Sequence, residues 1–328
     1  MEPIELKGKR VLVAGGSGFI GSHLAERLRA EGSAVRVVHC HTPLSFDASG
    51  MEVMQADLRD SNACRQAVSG MDHVFMCAAV TSGAAAIRGN PMTHVTPNVV
   101  ANAQMLEAAH AAGVGRFLFI SSSIVYPPAG DHPCAEDDAG NGDLHPAYYA
   151  AGWMKRYAEI LCRTYAEIAN PKMETVIVRP GNIYGPRDKF DSGRSHVTAA
   201  LIRKVFDRQD PIEVWGTGED IRDLIYIDDF IEGMIRAFRH PAPHYVVNIA
   251  SGRGVSVRQI LATAMEAGSY GDARIEFQRD KPSTIPILLI DTGRARNELD
   301  FSAETSLEDG IGRTMDWLRR NPQVLAAD

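Results

Sequence analysis

The chain predicts an α/β fold, a doubly wound parallel sheet followed by a smaller α+β region that binds substrate. Three observations carry this. Short apolar runs alternate with amphipathic stretches of helical period through the first 180 residues. The run Val11–Ala14 breaks into glycines at 15, 18 and 21 and then into an amphipathic helix. After Gly181 the texture changes, and brief strand-like segments alternate with helices.

The glycine run is the most informative element. A pair of phosphates needs backbone N–H groups aimed at it and no Cβ in the way, and a glycine turn feeding a helix N-terminus supplies both. Gly15 permits the turn, Gly18 the close approach and Gly21 the helix packing, so a dinucleotide site is expected here. Ala34–Val38 then reads as a second strand and Met51–Gln55 as a third, with a helix around Asn62–Val68. Asp72–Ala79 is a fourth strand, Asn98–Ala112 a helix ending at Gly113, and Arg116–Ser121 a fifth strand. Residues 127–147 are rich in Pro, Gly, Asp and His without apolar period, the pattern of a long surface loop over the ligand edge of the sheet. Tyr148–Ala169 reads as a helix and Thr175–Val178 as the sixth strand. Beyond Gly181, strands at Ile212–Trp215 and Leu224–Ile227 alternate with helices near 198–207, 229–238 and 256–267.

A chain of 328 residues can bury one large core or two modest ones. The net charge of -7 speaks against nucleic acid or an anionic membrane as partner, so a phosphorylated ligand needs a local cationic pocket. Residues 1–10 lack an apolar signal region and no later apolar run reaches membrane-spanning length, so a cytoplasmic location is expected. Five cysteines, at 40, 64, 77, 134 and 162, are odd in number and include no CxxC pair. Neither a disulfide framework nor a metal site is therefore expected.

The motifs Gly15-Gly16-Ser17-Gly18-Phe19-Ile20-Gly21, Ala56-Asp57-Leu58, Ser121-Ser122-Ser123-Ile124-Val125-Tyr126, Arg179-Pro180-Gly181-Asn182-Ile183-Tyr184-Gly185-Pro186 and Arg222-Asp223-Leu224-Ile225-Tyr226-Ile227-Asp228-Asp229 span most of the chain. Together they resemble the extended short-chain dehydrogenases/reductases that act on nucleotide-sugars. The stretch Gly185 to Phe190 with Ser195-His196-Val197 is most similar to the GDP-fucose synthase branch, which reduces and epimerises a 4-keto-6-deoxy sugar. The resemblance implies a Rossmann domain binding NAD(P) at 1–180 and a mainly sugar-nucleotide-binding region at 181–328, with segments returning to the first. It also implies a homodimer through the helices near 98–112 and 148–169.

Hydride chemistry at a sugar carbon turns a carbonyl into an alkoxide or the reverse, so a proton donor must sit beside that oxygen. The family uses a tyrosine four residues before a lysine on one helix face, with a serine on the neighbouring strand end. Lys155 and Ser122 match the lysine and serine, but position 151 is alanine. Three readings stay open: an engineered Tyr→Ala change that traps substrate, substitution by Tyr148 or Tyr149, or a natural chain that binds without oxidoreduction or uses water, His132, His145 or His196. His196 matches the family's epimerising histidine, whereas its cysteine partner is replaced by Ile124.

For the cofactor, the resemblance brings Gly15, Gly18, Phe19, Ile20, Gly21, Asp57, Leu58, Ala78, Ala79, Val80, Asn98, Lys155, Pro180 and Ile183. The segment Val37–His41 at the end of the second strand has no carboxylate for a ribose 2′-hydroxyl, so NADP is expected over NAD, with Arg36 or His39 on the 2′-phosphate. For the sugar nucleotide, Ser123, Asn182, Arg187, His196 and Arg222 are the candidates, with Arg203 a looser one. The expected reaction is NADP(H)-dependent oxidoreduction at C4 of a 4-keto (6-deoxy) sugar nucleotide, with or without epimerisation. The alternatives are an NAD-retaining 4-epimerase or dehydratase and a catalytically silent binding module.

Overall fold

The computed structural model describes residues 4–81, 90–191, 195–281 and 285–325. Strand alternation sets its layers. In β1 (Arg10–Ala14), Val11 and Val13 enter one apolar layer while Leu12 and Ala14 enter the other. That two-residue period marks a strand buried on both faces. The same division holds in β5 (Arg116–Ile120), where Leu118 and Ile120 lie opposite Phe117 and Phe119.

With β2 (Ala34–His39), β3 (Glu52–Gln55), β4 (His73–Met76), β6 (Glu174–Pro180) and β10 (His244–Ile249), these strands form one seven-stranded sheet. Its order is β10-β6-β5-β4-β1-β2-β3, with every pairing parallel. The chain runs outward from β1 to β3 and then restarts on the other side of β1 at β4. The sheet therefore has its topological switch point between β1 and β4, where ligands of such folds bind beyond the strand C-termini.

Helices α1 (Phe19–Ala30) and α6 (Ile227–Arg239) share one apolar layer with the sheet, through Leu24, Leu28, Phe230 and Met234. The opposite layer takes α2 (Ser61–Val68), α3 (Met92–Ala111) and α4 (Tyr149–Glu167), through Ala67, Met105, Leu106, Ala158 and Cys162. The helix α3 starts six residues before the predicted Asn98, because Pro97 sits inside it rather than ending it. There it forgoes the one backbone bond its missing N–H would have made.

Beyond β6 lies a smaller region. There β9 (Ile221–Tyr226) pairs with β7 (Asn182–Tyr184), with β11 (Gly254–Ser256) and with β13 (Ile287–Leu288), and β8 (Ile212–Trp215) pairs with β12 (Ile275–Gln278). Its helices are α5 (Val197–Phe206), α7 (Val257–Ala267) and α9 (Leu307–Arg320), whereas α8 (Gly293–Leu299) returns to pack on α6 and β10 of the main sheet. The loop expected over 127–147 contains two short 3-10 turns, Glu136–Gly140 and Pro146–Tyr148. All five cysteines are free. Among the described residues no helix is long and apolar enough to cross a membrane, and no group of three or more His, Cys, Asp or Glu side chains could hold a metal ion.

At the sheet's other end a buried cation joins the regions. Arg116 is wholly buried and donates to Glu174 and to the carbonyls of Phe238, His240 and Ala242, pinning the chain that leads from α6 into β10. Beside it His73 packs edge-on against Phe238, and neither of its ring nitrogens has a hydrogen-bond partner. Burial pushes the His73 imidazole down to about 4. The unfolded chain takes up this proton near ~6.5 but the folded one only near 4, so stability is lost as the pH falls through that window. Replacing His73→Leu is expected to remove about 2–3 kcal/mol of that acid loss. Urea unfolding of both proteins from pH 7 to 4 checks this; parallel pH profiles contradict it.

Candidate active site

Glycine geometry builds the groove at the switch point. Gly15 has φ +81°, and a Cβ there would lie 2.5 Å from the Ala78 backbone, so the turn after β1 and the segment after β4 touch backbone to backbone. A Cβ on Gly21 would collide with the Gly15 carbonyl. Gly18 is the N-cap of α1 and contributes no side-chain cap, leaving the N–H groups of Phe19 and Ile20 at a helix start with no side chain over them. Such groups lack intrahelical acceptors and carry partial positive charge. The cradle fits a dinucleotide pyrophosphate.

The walls of the groove are fixed from behind. Asn98, buried on α3, accepts from the Val80 N–H and donates to the Val80 carbonyl, both at 2.9 Å. It holds the segment Ala78-Ala79-Val80 in place by its backbone. Leu58 is buried, and Asp57 is gripped by Arg59, whose hydrogen bonds hold its carboxyl down to about 2. His39 ends β2 with its Nδ1 3.1 Å from the Thr42 carbonyl oxygen. Arg36 is held within the sheet: it pairs with Glu52 at 2.8 Å and its Nη1 donates to the carbonyls of Ala67 and Ser69, each at 2.8 Å.

The structure brings Ser122, Ala151 and Lys155 to one place. A Cβ on Gly152 would lie 2.7 Å from the Ile124 carbonyl oxygen, so the start of α4 packs directly on the turn that carries Ser122 and Ser123. Ser122 Oγ accepts from the Ile124 N–H at 3.3 Å, and Ser123 is buried. One helical turn beyond Ala151, Lys155 donates to the Ile120 carbonyl at 2.8 Å with its ammonium over the Phe119 ring. Desolvation pulls the Lys155 ammonium down to about 8, with Glu159 acting against it. Tyr148 precedes α4 at φ -121°, ψ 11°, outside the regular helix, and Tyr149 is exposed against Trp153.

Pro180 ends β6, and Asn182 and Ile183 lie in the three-residue β7 beside it. Arg222 of β9 pairs with Asp220 at 3.3 Å and donates to the Ile221 carbonyl. Asp223 is a brace that sequence reasoning leaves unassigned: its carboxylate accepts from Ser251 and Gly252. Arg187 turns toward α1, where it pairs with Glu26. Arg203 pairs with Asp207 one helical turn on, a surface arrangement. The N-cap of α5 is His196, and its ring makes no cap bond; desolvation and the Lys189 ammonium lower its pKa. Asp188, not foreseen from sequence, has its carboxyl pushed up to about 7 by burial. No sequence signal distinguishes it from a surface acid between two cations.

Residues 11–250 match the model of the NAD dependent epimerase/dehydratase family. The chain belongs to that family. A GDP-L-fucose synthase of Escherichia coli K12 is 27% identical over 95% of this chain and 97% of its own length. A GDP-mannose 3,5-epimerase of Oryza sativa subsp. japonica is 30% identical over 94% and 82%. Among solved structures, MoeE5 in complex with UDP-glucuronic acid and NAD superposes with a TM-score of 0.83 at 27% identity, covering 96% of this chain and 100% of that one. The likeness to the catalytic epimerases and dehydratases runs the length of the chain, and the resemblance read from the motifs holds.

The expectation of NADP is corrected. MoeE5 is captured with NAD in two complexes, and here the cation meant for a 2′-phosphate, Arg36, is spent on Glu52 and two carbonyls. A missing carboxylate at the end of β2 does not create a phosphate site when the nearby arginine is paired with Glu52 and bonded to backbone carbonyls.

Lys155 yields a test of the site's electrostatics. Its folded pKa of about 8 lies below the unfolded value near ~10.5. The penalty for burying the charge is complete below pH 8 and disappears as pH rises from 8 to 10.5. Thermal melts of Lys155→Met are expected to show a gain of a few degrees at pH 7 that shrinks across that window. A difference that does not change with pH contradicts it.

Proposed function

We propose that this chain binds NAD and a nucleotide-diphosphate sugar and acts at C4 as the NAD-retaining epimerases and dehydratases do, with hydride leaving the sugar and returning to it. The observation that carries the reading is the nearly full-length likeness to MoeE5, whose complexes contain NAD with UDP-glucuronic acid or UDP-glucose. The glycine cradle and the engaged Arg36 support it from the chain's own geometry.

When bound, NAD supplies the hydride acceptor. The chain's residues do the rest. Phe19, Ile20 and the three glycines take the pyrophosphate, with Asp57, Leu58 and His39 toward the adenosine. Ala78, Ala79 and Val80 would line the path to the nicotinamide, and Pro180 and Ile183 would hold its ring. Ser122 hydrogen-bonds the reacting sugar oxygen, and Lys155 places a positive charge behind it. Ser123, Asn182, His196 and Arg222 hold the sugar and its diphosphate. At position 151 the alanine has no proton to exchange, so proton transfer at the oxygen falls to solvent and turnover is slow.

A homodimer is part of the proposal. Tyr149, Trp153, Tyr157 and Ile160 are each 40–55% exposed and recur at helical spacing along one side of α4. A second copy of the same helix suits such a stripe.

Calorimetric titration is expected to show NAD binding about tenfold or more tighter than NADP. Ala151→Tyr is expected to raise turnover on UDP- and GDP-sugars by roughly 10²-fold or more, without net conversion of cofactor. Tighter NADP, or one reduced cofactor consumed per product, overturns the reading. So does an Ala151→Tyr protein that binds both ligands and turns over none of the sugars.

A further inference from the structure

The segment that follows β7 is tied down twice within four residues. The Pro186 carbonyl oxygen lies 2.9 Å from Nε2 of His23 on α1. Arg187 donates to Glu26, also on α1, at 2.5 Å, with its guanidinium over the Phe46 ring. Its φ of +66° is a conformation disfavoured for a residue with a side chain, so these contacts hold the backbone where it would not rest by itself. Two residues on, Lys189 Nζ donates to Thr81 Oγ1 at 2.6 Å and to the Thr81 carbonyl at 3.3 Å.

The two anchors stand on opposite walls of one groove. Helix α1 leaves the C-terminal end of β1, and Thr81 lies on the segment that leaves β4 next to Val80. These strands are neighbours at the switch point, so the span from Pro186 to Lys189 joins the two walls of the dinucleotide cradle. Three peptide steps reach at most about 10 Å. Held by its own carbonyl at Pro186 and through the Lys189 side chain at the other end, the span is fixed on both walls.

We propose that Pro186–Lys189 is a strap that shuts the dinucleotide groove, and that its Arg187–Glu26 and Lys189–Thr81 ties set the rate at which the cofactor enters and leaves. The inference rests on the NAD reading above and deepens it. A reaction that takes hydride from a sugar and gives it back requires the reduced cofactor to stay in place between the two transfers. The strap supplies that retention from the chain itself, without further contacts to the cofactor. It also gives Arg187 a task different from the diphosphate contact expected from sequence.

Stopped-flow binding of NADH by the full chain, followed by displacement with excess NAD, tests it. Arg187→Met and the pair Thr81→Val with Lys189→Met are each expected to raise association and dissociation rates together, by roughly two- to fivefold, and both sets combined by about tenfold. The dissociation constant then moves less than either rate. Exchanging the charges, Arg187→Glu with Glu26→Arg, is expected to restore slow exchange and controls for a variant that merely folds poorly. Rates equal to those of the parent protein overturn the strap. A rise in dissociation alone also overturns it, because that marks a direct cofactor contact and not a gate. If NADH binds to none of the proteins, the NAD reading itself fails, an outcome separable from the others at the first titration.

Discussion

The buried ion pair between Arg179 and Glu159 is the constraint on which the site depends. Their side chains are only 6% and 11% exposed, and the guanidinium meets the carboxylate through two donors at 2.9 and 2.7 Å. Two buried ions cost several kcal/mol each unless their remaining hydrogen-bonding capacity is used. Here it is used. Arg179 also donates to Tyr126 Oη and to the Glu136 carbonyl, and Glu159 accepts from Ser121. Tyr126 in turn donates to Asn248, whose N–H donates to Glu136. One satisfied network thereby joins the end of β5, helix α4, β6, the 126–136 segment and β10.

The network fixes how α4 is rolled against the sheet. Glu159 lies one turn after Lys155, so anchoring Glu159 delivers Lys155 to the Ile120 carbonyl. The Gly152 contact on Ile124 sets the separation at the other end. Ser122 belongs to the same turn, beside the Ser121 that Glu159 holds. The groove is assembled in the same manner: Asn98 fixes Val80 by its backbone and glycines bring the walls into contact. The candidate site residues sit on elements whose positions are over-determined by packing, and Ala151 stands among them one helical turn before Lys155.

The sheet was legible because its signals are local. The glycine turn after β1 and the apolar runs of the strands are each read within a few consecutive residues. What sequence misses is long-range. Two- and three-residue strands such as β13 and β7 exist only because β9 pairs with them. Arg36 looked available for a 2′-phosphate until the register placed it opposite Glu52 across β2 and β3. Arg187 looked like a diphosphate ligand, yet its partner Glu26 stands 161 positions earlier. Nothing in the local pattern distinguishes an arginine awaiting a ligand from one already satisfied.

The most direct measurement is a double-mutant cycle on Glu159 and Arg179 read by urea unfolding. A loss of about 3–5 kcal/mol is expected for Glu159→Leu or Arg179→Met alone, because each strands a buried charge, and a much smaller loss for the protein carrying both. A single-substitution cost under about 1 kcal/mol, the behaviour of a surface pair, would contradict it.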